Sequence, residues 1–313
     1  MSIVTTLIAR PAQAHYIVEA AKRLDTISLP FQRSQPLARY ALDVHVDIEA
    51  DKLDTLKHLV GLALHGLPID HFVQVAETRR KKLLMADMDS TMIGQECVDE
   101  LAALVGIKSQ VSSITERAMR GEIEFEPALR ARVALLSGIE TKLIDQLIEN
   151  HITLNPGAQT LIQTMVANGT FTALVSGGFT IFTEAIAERC GFDMHKANTL
   201  EFNDERLTGT VKEPILGQQA KRDALNELCR KHRLKPHETV AIGDGANDLA
   251  MLDGAGLGVA YYAKPAVAEA ADARIDHTDL TSLLFAQGYQ VDEFVGEAPA
   301  DPNQDDAEYT AEV

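Results

Sequence analysis

The sequence predicts an α/β fold: a doubly wound, Rossmann-like parallel sheet with a helical cap insertion, preceded by a smaller α+β domain. The main observation is a set of four short apolar segments that alternate with helical ones, at Leu83 to Ala86, Phe171 to Val175, Thr239 to Ile242 and Leu257 to Ala260. The first three end in polar clusters. Strands that alternate with helices form parallel sheets covered on both faces, and functional groups gather at the carboxyl ends of such strands.

Composition bounds the class of protein. A chain of 313 residues with 46% hydrophobic and 24% charged residues is typical of a globular protein with room for a second domain. The net charge of −17 argues against a nucleic-acid surface. The chain has no apolar run of spanning length and no secretory signal at its start, so we expect a cytoplasmic protein without a membrane partner. Three scattered cysteines indicate ordinary thiols rather than a disulfide framework or a zinc site.

Residues 1–80 have their own pattern. The predicted elements follow the order βαββαβ: Ser2 to Ala9, Ala12 to Leu24, Thr26 to Phe31, Tyr40 to Ile48, Leu53 to Leu64 and Phe72 to Val75. This order resembles the ACT regulatory domain, which binds amino acids or pairs subunits. The first turn, Arg10-Pro11, lacks the glycine that ligand-binding examples often carry. We therefore favour a packing or dimerisation module, and a homodimer formed through it is the expected assembly.

Two further segments complete the predicted organisation. Between the first and second apolar strands, residues 97–152 are helical and are punctuated by Gly106, Gly121 and Gly138. An insertion at this point would cover the end of the first strand as a cap on a core of residues 81–290. From residue 291 onward the chain is acidic and has few large apolar residues, which predicts a disordered tail over residues 291–313.

The stretch KLLMADMDST runs an apolar strand into two acids, Asp87 and Asp89. A carboxylate at a strand tip can act as a nucleophile, and a second acid two residues on, pointing the same way, can donate and take protons. Asp244, in GDGANDLAML, also follows an apolar strand. Asp87 and Asp244 offer hard oxygen ligands suited to Mg²⁺, and we count Asp89 with them as a metal residue. The alternative for DMDST alone is a turn with a helix cap.

A phosphate site is predicted beside these acids. Ser176, Gly177 and Gly178 are expected to open a helix from Phe179 to Cys190, where backbone N–H groups and a serine hydroxyl would hold a phosphate. Lys221 is a candidate cation for the same group. Each signal is weak alone, because glycine turns after strands are common and helical lysines are usually solvated.

Longer strings give a resemblance. The chain resembles the phosphoserine phosphatase family of the haloacid dehalogenase-type (HAD) phosphotransferase superfamily in DMDSTMIGQECVDELA, TERAMRGEIEFEPALRARVALL, VSGGFT, VAIGDGANDLAML and AKP. The match covers about Leu83 to Leu284. It implies a Mg²⁺-dependent phosphatase that converts O-phospho-L-serine to L-serine and phosphate, the last step of serine synthesis, through an aspartyl-phosphate.

The resemblance also implies roles for individual residues. Asp87 is the nucleophile, Asp89 the acid and base, and Asp244 a metal ligand. Glu96 faces the substrate ammonium and Arg132 holds its carboxylate. By the same resemblance, Phe125 and Met119 form the apolar cover of the site. Ser176, Gly177 and Lys221 contact the phosphate. Asn247 and Asp248 orient metal-bound water or the lysine.

Other interpretations stay open at this point. Arg132 could pair with Glu126 or Asp145, Phe125 could belong to the core of the cap, and Glu96 could simply favour a helix N-terminus. A related phosphatase could act on another small phosphate, for instance homoserine phosphate. An amino-acid sensor that works through residues 1–80 is the alternative from another functional class.

Overall fold

The first domain is a four-stranded antiparallel sheet covered by two helices. The computed structural model describes residues 2–27, 31–48, 50–119, 122–297 and 299, without the side chains of residues 31–33, 50 and 119. The elements of the first domain are β1 Ser2–Ile8, α1 His15–Asp25, β2 Phe31–Ala38, β3 Ala41–Asp47, α2 Leu53–Leu64 and β4 Asp70–Val75. The strand order is β2-β3-β1-β4. The predicted βαββαβ order is therefore present.

The third predicted element lies in the wrong place. Thr26 ends α1, residues 28–30 lie outside the described residues, and β2 begins only at Phe31. β2 is an edge strand with the sequence FQRSQPLA, in which Pro36 is tolerated because only one side of the strand pairs. A polar edge strand lacks the apolar alternation on which the prediction relied.

The chain then enters the core domain and its cap. The strand β5, Leu83–Ala86, is buried at every residue. Four helices follow it, as the glycine punctuation predicts: α3 Cys97–Leu104, α4 Lys108–Met119, α5 Phe125–Leu135 and α6 Thr141–Asn150. The remaining elements are α7 Ala158–Ala167, β6 Phe171–Phe179, α8 Thr180–Cys190, β7 Met194–Asn198, β8 Leu200–Asn203, β9 Arg206–Val211, α9 Gln218–His232, β10 Thr239–Gly243, α10 Leu249–Gly254, β11 Gly258–Tyr261, α11 Pro265–Ala270, β12 Ala273–Ile275 and α12 Ser282–Ala286.

The core sheet has six parallel strands in the order β12-β11-β10-β5-β6-β7. Successive residues of β5 face opposite helix layers, since strand side chains alternate. Leu83 and Met85 pack with the layer that contains Leu225 of α9, whereas Leu84 packs with the layer that contains Phe182 of α8. Burial on both faces explains why the central strands appear as continuous apolar runs. The outer strands β7 and β12 carry polar residues, and the sequence did not reveal them.

A two-stranded hairpin extends the cap. β8 and β9 pair around Asn203 and Asp204, and Asp204 takes a positive φ of 54°. Gly138 donates a hydrogen bond from its backbone to Leu207 O on β9. The hairpin, which follows β7 directly, therefore links the helical cap to the edge of the core sheet.

The first domain is docked on the core through a buried polar interface. Asp70 of β4 accepts hydrogen bonds from the backbone N–H groups of Asp276 and Thr278 at 2.9 and 2.8 Å, and from the Thr278 hydroxyl at 2.5 Å. Tyr40 packs edge-on against Phe285 of α12, with ring centroids 5.6 Å apart. Both faces of the four-stranded sheet are thus covered, one by α1 and α2 and the other by the core.

The predicted disordered tail begins too early. Residues 291–297 pack on the core: Val295 N–H donates to Thr164 Oγ1, Thr160 Oγ1 donates to Glu297 O, and the Phe294 ring lies 5.0 Å from that of Phe285. Two apolar side chains in this short segment outweigh its acidic composition. Residues 301–313 lie outside the described residues. In the part of the chain that the structure describes, none of the helices is both long enough and apolar enough to cross a membrane.

Candidate active site

The two neighbouring central strands bring their terminal acids to one edge of the sheet. Ala86 of β5 pairs with Ile242 of β10, and the Asp87 backbone N–H extends this ladder by donating to Ile242 O at 3.0 Å. Asp87 follows β5 directly, and Asp244 follows β10. Because parallel strands end at the same edge, these two carboxylates meet there, as the sequence predicted.

Lys221 joins two of the acids. Its ammonium lies 2.7 Å from Asp87 Oδ1 and 2.6 Å from Asp248 Oδ1, and all three side chains are almost completely buried. Burial disfavours the charge on the lysine, but Asp248 and Asp87 outweigh that effect and raise its pKa. Lys221 is therefore a fixed cation within the acidic cluster, in contrast to the solvated lysine that helices usually carry.

The acids Asp87, Asp244 and Asp248 offer carboxylate oxygens that all lie within 4.8 Å of one another. Asp248 is already engaged on both oxygens, by Lys221 on Oδ1 and by the Gly245 N–H on Oδ2. Asp244 accepts a single side-chain bond among the described residues, from the Thr91 hydroxyl at 3.1 Å. An oxygen-rich donor set of three acids, of which Lys221 contacts only Asp87 and Asp248, fits a hard divalent ion held by Asp87 and Asp244.

The close packing of the acids raises the pKa values of two of them, Asp244 and Asp248. Burial, followed by the nearby Asp87 charge, raises the pKa of Asp244 to about 6. The same two causes raise the pKa of Asp248 to about 8, against the opposing effect of Lys221. The sheet edge thus holds more negative charge than Lys221 alone compensates.

Among the described residues, Asp89 is not one of the acids whose carboxylate oxygens cluster within 4.8 Å of one another, and its assignment as a metal residue stays a prediction. Period two places its side chain on the same side as Asp87, but the turn carries it toward the cap hinge, where Oδ1 accepts a hydrogen bond from Cys97 N–H at 3.3 Å. A Cβ added to Gly178 would lie 3.1 Å from Asp89 Oδ2. Burial, then Glu96, raises the pKa of Asp89 to about 8, so this acid holds its proton at neutral pH.

The cap side supplies an acid and an arginine. Glu96 precedes α3 and accepts a 2.7 Å hydrogen bond from the hydroxyl of Ser90, whose φ is 56°. Arg132 of α5 is mostly buried, and its Nε has no hydrogen-bond partner among the described residues. Burial lowers the pKa of Arg132, while Asp99, Glu96 and Asp89 act in the opposite direction.

The helix-pair alternative for Arg132 is not what the structure contains. Among the described residues Arg132 has no ion pair within 4.0 Å, and Glu126 instead lies 4.0 Å from Arg130. Arg130 also pairs with Glu213 at the surface. Burying a guanidinium without an ion pair is costly, so Arg132 is a candidate for binding an anion.

Phe125 closes the cap over the glycines. A Cβ added to Gly177 would lie 3.6 Å from Phe125 Cζ, and one added to Gly217 would lie 3.6 Å from Phe125 Cδ1. A methyl group at either glycine would be in ordinary van der Waals contact with the ring, so the ring lies directly beside both backbone positions. The side chain of Met119, the second predicted apolar cover, lies outside the described residues.

The predicted phosphate segment has a different local structure. Ser176, Gly177 and Gly178 do not open a helix: they belong to the extended end of β6, and α8 begins at Thr180 with Phe179 as its N-cap. The ladder with β7 is interrupted between Val175 and Phe179. Two successive glycines allow this irregular extended segment next to Asp89, and such glycines are as typical of bulges as of helix starts.

Sequence reasoning missed two residues of the site. Thr91, which bonds Asp244, stands within DMDST and was a visible candidate. Asn198 is 2% exposed, and its amide bonds Gly177 at the end of β6 and Leu216 just before α9. It stands in the string HKANTL at the end of an edge strand, where no motif marks it.

The fold and this acid–lysine cluster define the class. The profile of the haloacid dehalogenase-like hydrolase family matches residues 84–253, just over half of the chain. The chain belongs to this family. A HAD family hydrolase of known structure from Salmonella enterica serovar Typhi is similar with a TM-score of 0.80 at 30% identity, over 92% of this chain and 98% of that one.

Sequence identity to curated relatives indicates which group of the family the chain resembles. A phosphoserine phosphatase of Streptomyces coelicolor is 37% identical over 286 residues, which are 90% of this chain and 70% of the relative. A phosphoserine phosphatase of a Polaromonas species is 45% identical over 208 residues, 65% of this chain and 88% of the relative. By these relatives the chain falls among the phosphoserine phosphatases of the family.

Proposed function

We propose that the protein hydrolyses O-phospho-L-serine to L-serine and phosphate with Asp87 as the nucleophile. The observation that carries the proposal is the position of Asp87: at the tip of the central strand, 2.7 Å from the Lys221 ammonium and beside the acid Asp89. A carboxylate fixed in this way can attack phosphorus and form an aspartyl-phosphate, which splits the transfer into two easier displacements.

The charges of the site match a phosphate. Lys221 is buried and cannot turn away to solvent, so it supplies positive charge where negative charge develops on the transferred group. Asp87 and Asp244 would hold Mg²⁺, and the bound ion offsets the repulsion between the carboxylates and the phosphate dianion. The Ser176 hydroxyl is a donor for the same phosphate.

Asp89 acts first as the general acid and then as the general base. Because its pKa lies near 8, the carboxyl is protonated at neutral pH and can donate to the seryl oxygen as the P–O bond breaks. The resulting carboxylate can then take a proton from the water that attacks the aspartyl-phosphate. The short distance along the chain between Asp87 and Asp89 keeps the acid near the nucleophile in both steps.

Residues of the cap would bind the parts of the substrate other than the phosphate. Phosphoserine carries an ammonium and a carboxylate besides the phosphate. Glu96 would face the ammonium, and the unpaired guanidinium of Arg132 would bind the carboxylate through its planar fork. Phe125, whose ring lies next to Gly177, would exclude water.

A panel of phosphate esters tests the substrate. With Mg²⁺ present, we expect the highest kcat/KM for O-phospho-L-serine, lower values for homoserine phosphate and for phosphoethanolamine, and loss of activity on chelation that Mg²⁺ restores. A higher kcat/KM for homoserine phosphate would reassign the substrate, while retained activity in excess chelator would remove the metal from the proposal.

Residues 1–80 are proposed to form an ACT-like module that pairs two chains. Its helices expose Val18 and Leu62, which are 40% and 62% exposed, on the side away from the core. Light scattering of the full chain and of Leu62→Glu measures this: a dimer that the substitution dissociates supports the module, and a monomeric wild type contradicts it.

A further inference from the structure

The phosphate-binding groups of the site come from two segments that no backbone ladder joins. Ser176 and Gly177 end β6, whereas Lys221 lies in the first turns of α9, which Gly217 precedes. β6 pairs with β5 and β7 in the sheet. The two segments must nevertheless keep a fixed distance if a serine hydroxyl and an ammonium are to bind the same phosphate.

One side chain spans this gap. Asn198, at the end of β7, donates from Nδ2 to Gly177 O at 2.9 Å and to Leu216 O at 3.4 Å, and its Oδ1 accepts the Leu216 N–H at 2.7 Å. It is 2% exposed. The amide therefore has both ends engaged, one on each segment, and only a side chain with a donor and an acceptor at this length can make this set of bonds.

The bond to Gly177 has a consequence for Ser176. The peptide between Gly177 and Gly178 is trans, so its C=O and its N–H point in opposite directions. Asn198 holds the C=O, and the N–H on the other side donates to Ser176 Oγ at 2.9 Å. Ser176 thus accepts from the backbone, and none of the described residues accepts its proton, which is left to donate to a ligand.

We infer that Asn198 is a positioning residue for phosphate: it locks the 177–178 peptide so that Ser176 presents its proton, and it fixes this segment relative to the helix that carries Lys221. Its side-chain hydrogen bonds among the described residues go to Gly177 and Leu216, and none goes to Asp87 or Asp244. The inference rests on the proposed function for the identity of the phosphate ester. The hydrogen bonds of Asn198 bear on how the site binds the phosphate group, whichever ester carries it.

The test compares how strongly the two products, inorganic phosphate and L-serine, bind to the protein. Inorganic phosphate and L-serine are used as inhibitors of wild type, Asn198→Ala and Asn198→Asp, with Mg²⁺ present. We expect the inhibition constant for phosphate to rise about 10- to 100-fold in both variants and kcat to fall, with the constant for L-serine changed by less than about 2-fold. Asn198→Asp keeps the side-chain volume, so it reports on the lost donor if the alanine variant is unstable.

A double-mutant cycle separates positioning from general loosening. If Asn198 acts through Ser176, then Asn198→Ala combined with Ser176→Ala weakens phosphate binding little more than the larger single change. Asn168→Ala is the control, because that side chain also bonds a backbone carbonyl, Thr164 O at 2.8 Å, on α7. It should leave both constants unchanged.

Three results would overturn the inference: parallel weakening of phosphate and L-serine, an unchanged constant for phosphate, or full additivity with Ser176→Ala. Direct calorimetry of phosphate binding keeps this test independent of the substrate. If wild type failed to hydrolyse phosphoserine, the proposed function would fall while the role of Asn198 in binding phosphate could still be measured.

Discussion

Two buried acids of this molecule, Asp70 and Asp87, show how the same side chain serves structure in one region and chemistry in another. Both are less than 5% exposed. Asp70 is surrounded by donors: three backbone N–H groups and one hydroxyl, from residues 276–278, point at its two oxygens. Burial raises its pKa, and the bond from Thr278 and the backbone bonds work in the opposite direction.

Asp87 has different surroundings: it accepts hydrogen bonds from the Met88 N–H at 2.7 Å and from Asn247 Nδ2 at 3.3 Å, but it also lies among other acids. Its neighbours include the acids Asp244 and Asp248, and the single ammonium of Lys221 is shared between Asp87 and Asp248. Where donors outnumber charges, a buried acid stabilises the fold. Where like charges outnumber cations, the site stores unfavourable energy that a metal ion and a substrate can relieve. The predictions below separate these two cases.

The largest effect is expected for Asp87→Asn. Removing the nucleophile should lower kcat/KM for phosphoserine by a factor on the order of 10⁴ or more. Relief of charge repulsion should offset the lost ion pair with Lys221, so the thermal midpoint should stay close to that of wild type. Steady-state kinetics and calorimetric unfolding measure both. Residual turnover within about 10-fold of wild type would contradict the role of Asp87.

Asp70→Ala should do the reverse. It leaves several buried donors without a partner, which costs about 3 kcal/mol, equivalent to a roughly 150-fold shift in the folding equilibrium. Activity below the unfolding transition should persist. Urea unfolding measures the loss, with Asp276→Ala as the matched control, because Asp276 makes only a partly exposed ion pair with Arg274. Equal stability losses in the two variants would erase the distinction.

Arg132→Ala should raise KM for phosphoserine about 10- to 100-fold, because the guanidinium is proposed to bind the substrate carboxylate. Phosphoethanolamine lacks that carboxylate, so its KM should change little. Arg130→Ala is the control on the same helix: Arg130 pairs with Glu213 at the surface. Equal losses on both substrates would assign Arg132 to the structure of the cap.

The smallest effect concerns Lys81, a buried cation that has no ion pair within 4.0 Å in the part of the chain that the structure describes. Lys81 donates to the carbonyls of Thr78 and His237, and burial lowers its pKa to about 8. Between that value and the ordinary pKa of about 10.5 the unfolded chain keeps a proton that the folded chain lacks, so stability rises with pH in this window.

From pH 7 to pH 9 this gain should amount to about 1 kcal/mol, and Lys81→Met should abolish it. Lys82→Met provides the control, since the Lys82 side chain is 65% exposed. Urea unfolding at several pH values measures the slope. An unchanged slope in Lys81→Met would assign the pH dependence to other groups.

The predictable and unpredictable parts of the molecule differ in physical terms. The central strands were visible because burial on both faces demands continuous apolar runs, and Asp87 and Asp244 were visible because each ends such a run. Edge strands such as β2 and β7 need little apolar surface, so the first was misplaced and the second was missed.

Contacts between distant segments were hidden for a different reason. The bonds of Asn198 to Gly177 and Leu216, and those of Asp70 to residues 276–278, depend on how strands and loops are arranged in space. The local sequence pattern does not indicate these hydrogen bonds. The extended form of Ser176 to Gly178 was equally hidden, because two glycines suit a bulge as well as a helix start.

The most direct test traps the phosphoryl group on the enzyme. Wild type is mixed with phosphoserine labelled at phosphorus and quenched in acid within milliseconds, and the labelled peptide is then identified. The account predicts an acid-stable label that hydroxylamine removes, carried by the peptide that contains Asp87, and no label in Asp87→Asn. Label on Asp89, or turnover by wild type without any labelled enzyme, would contradict it.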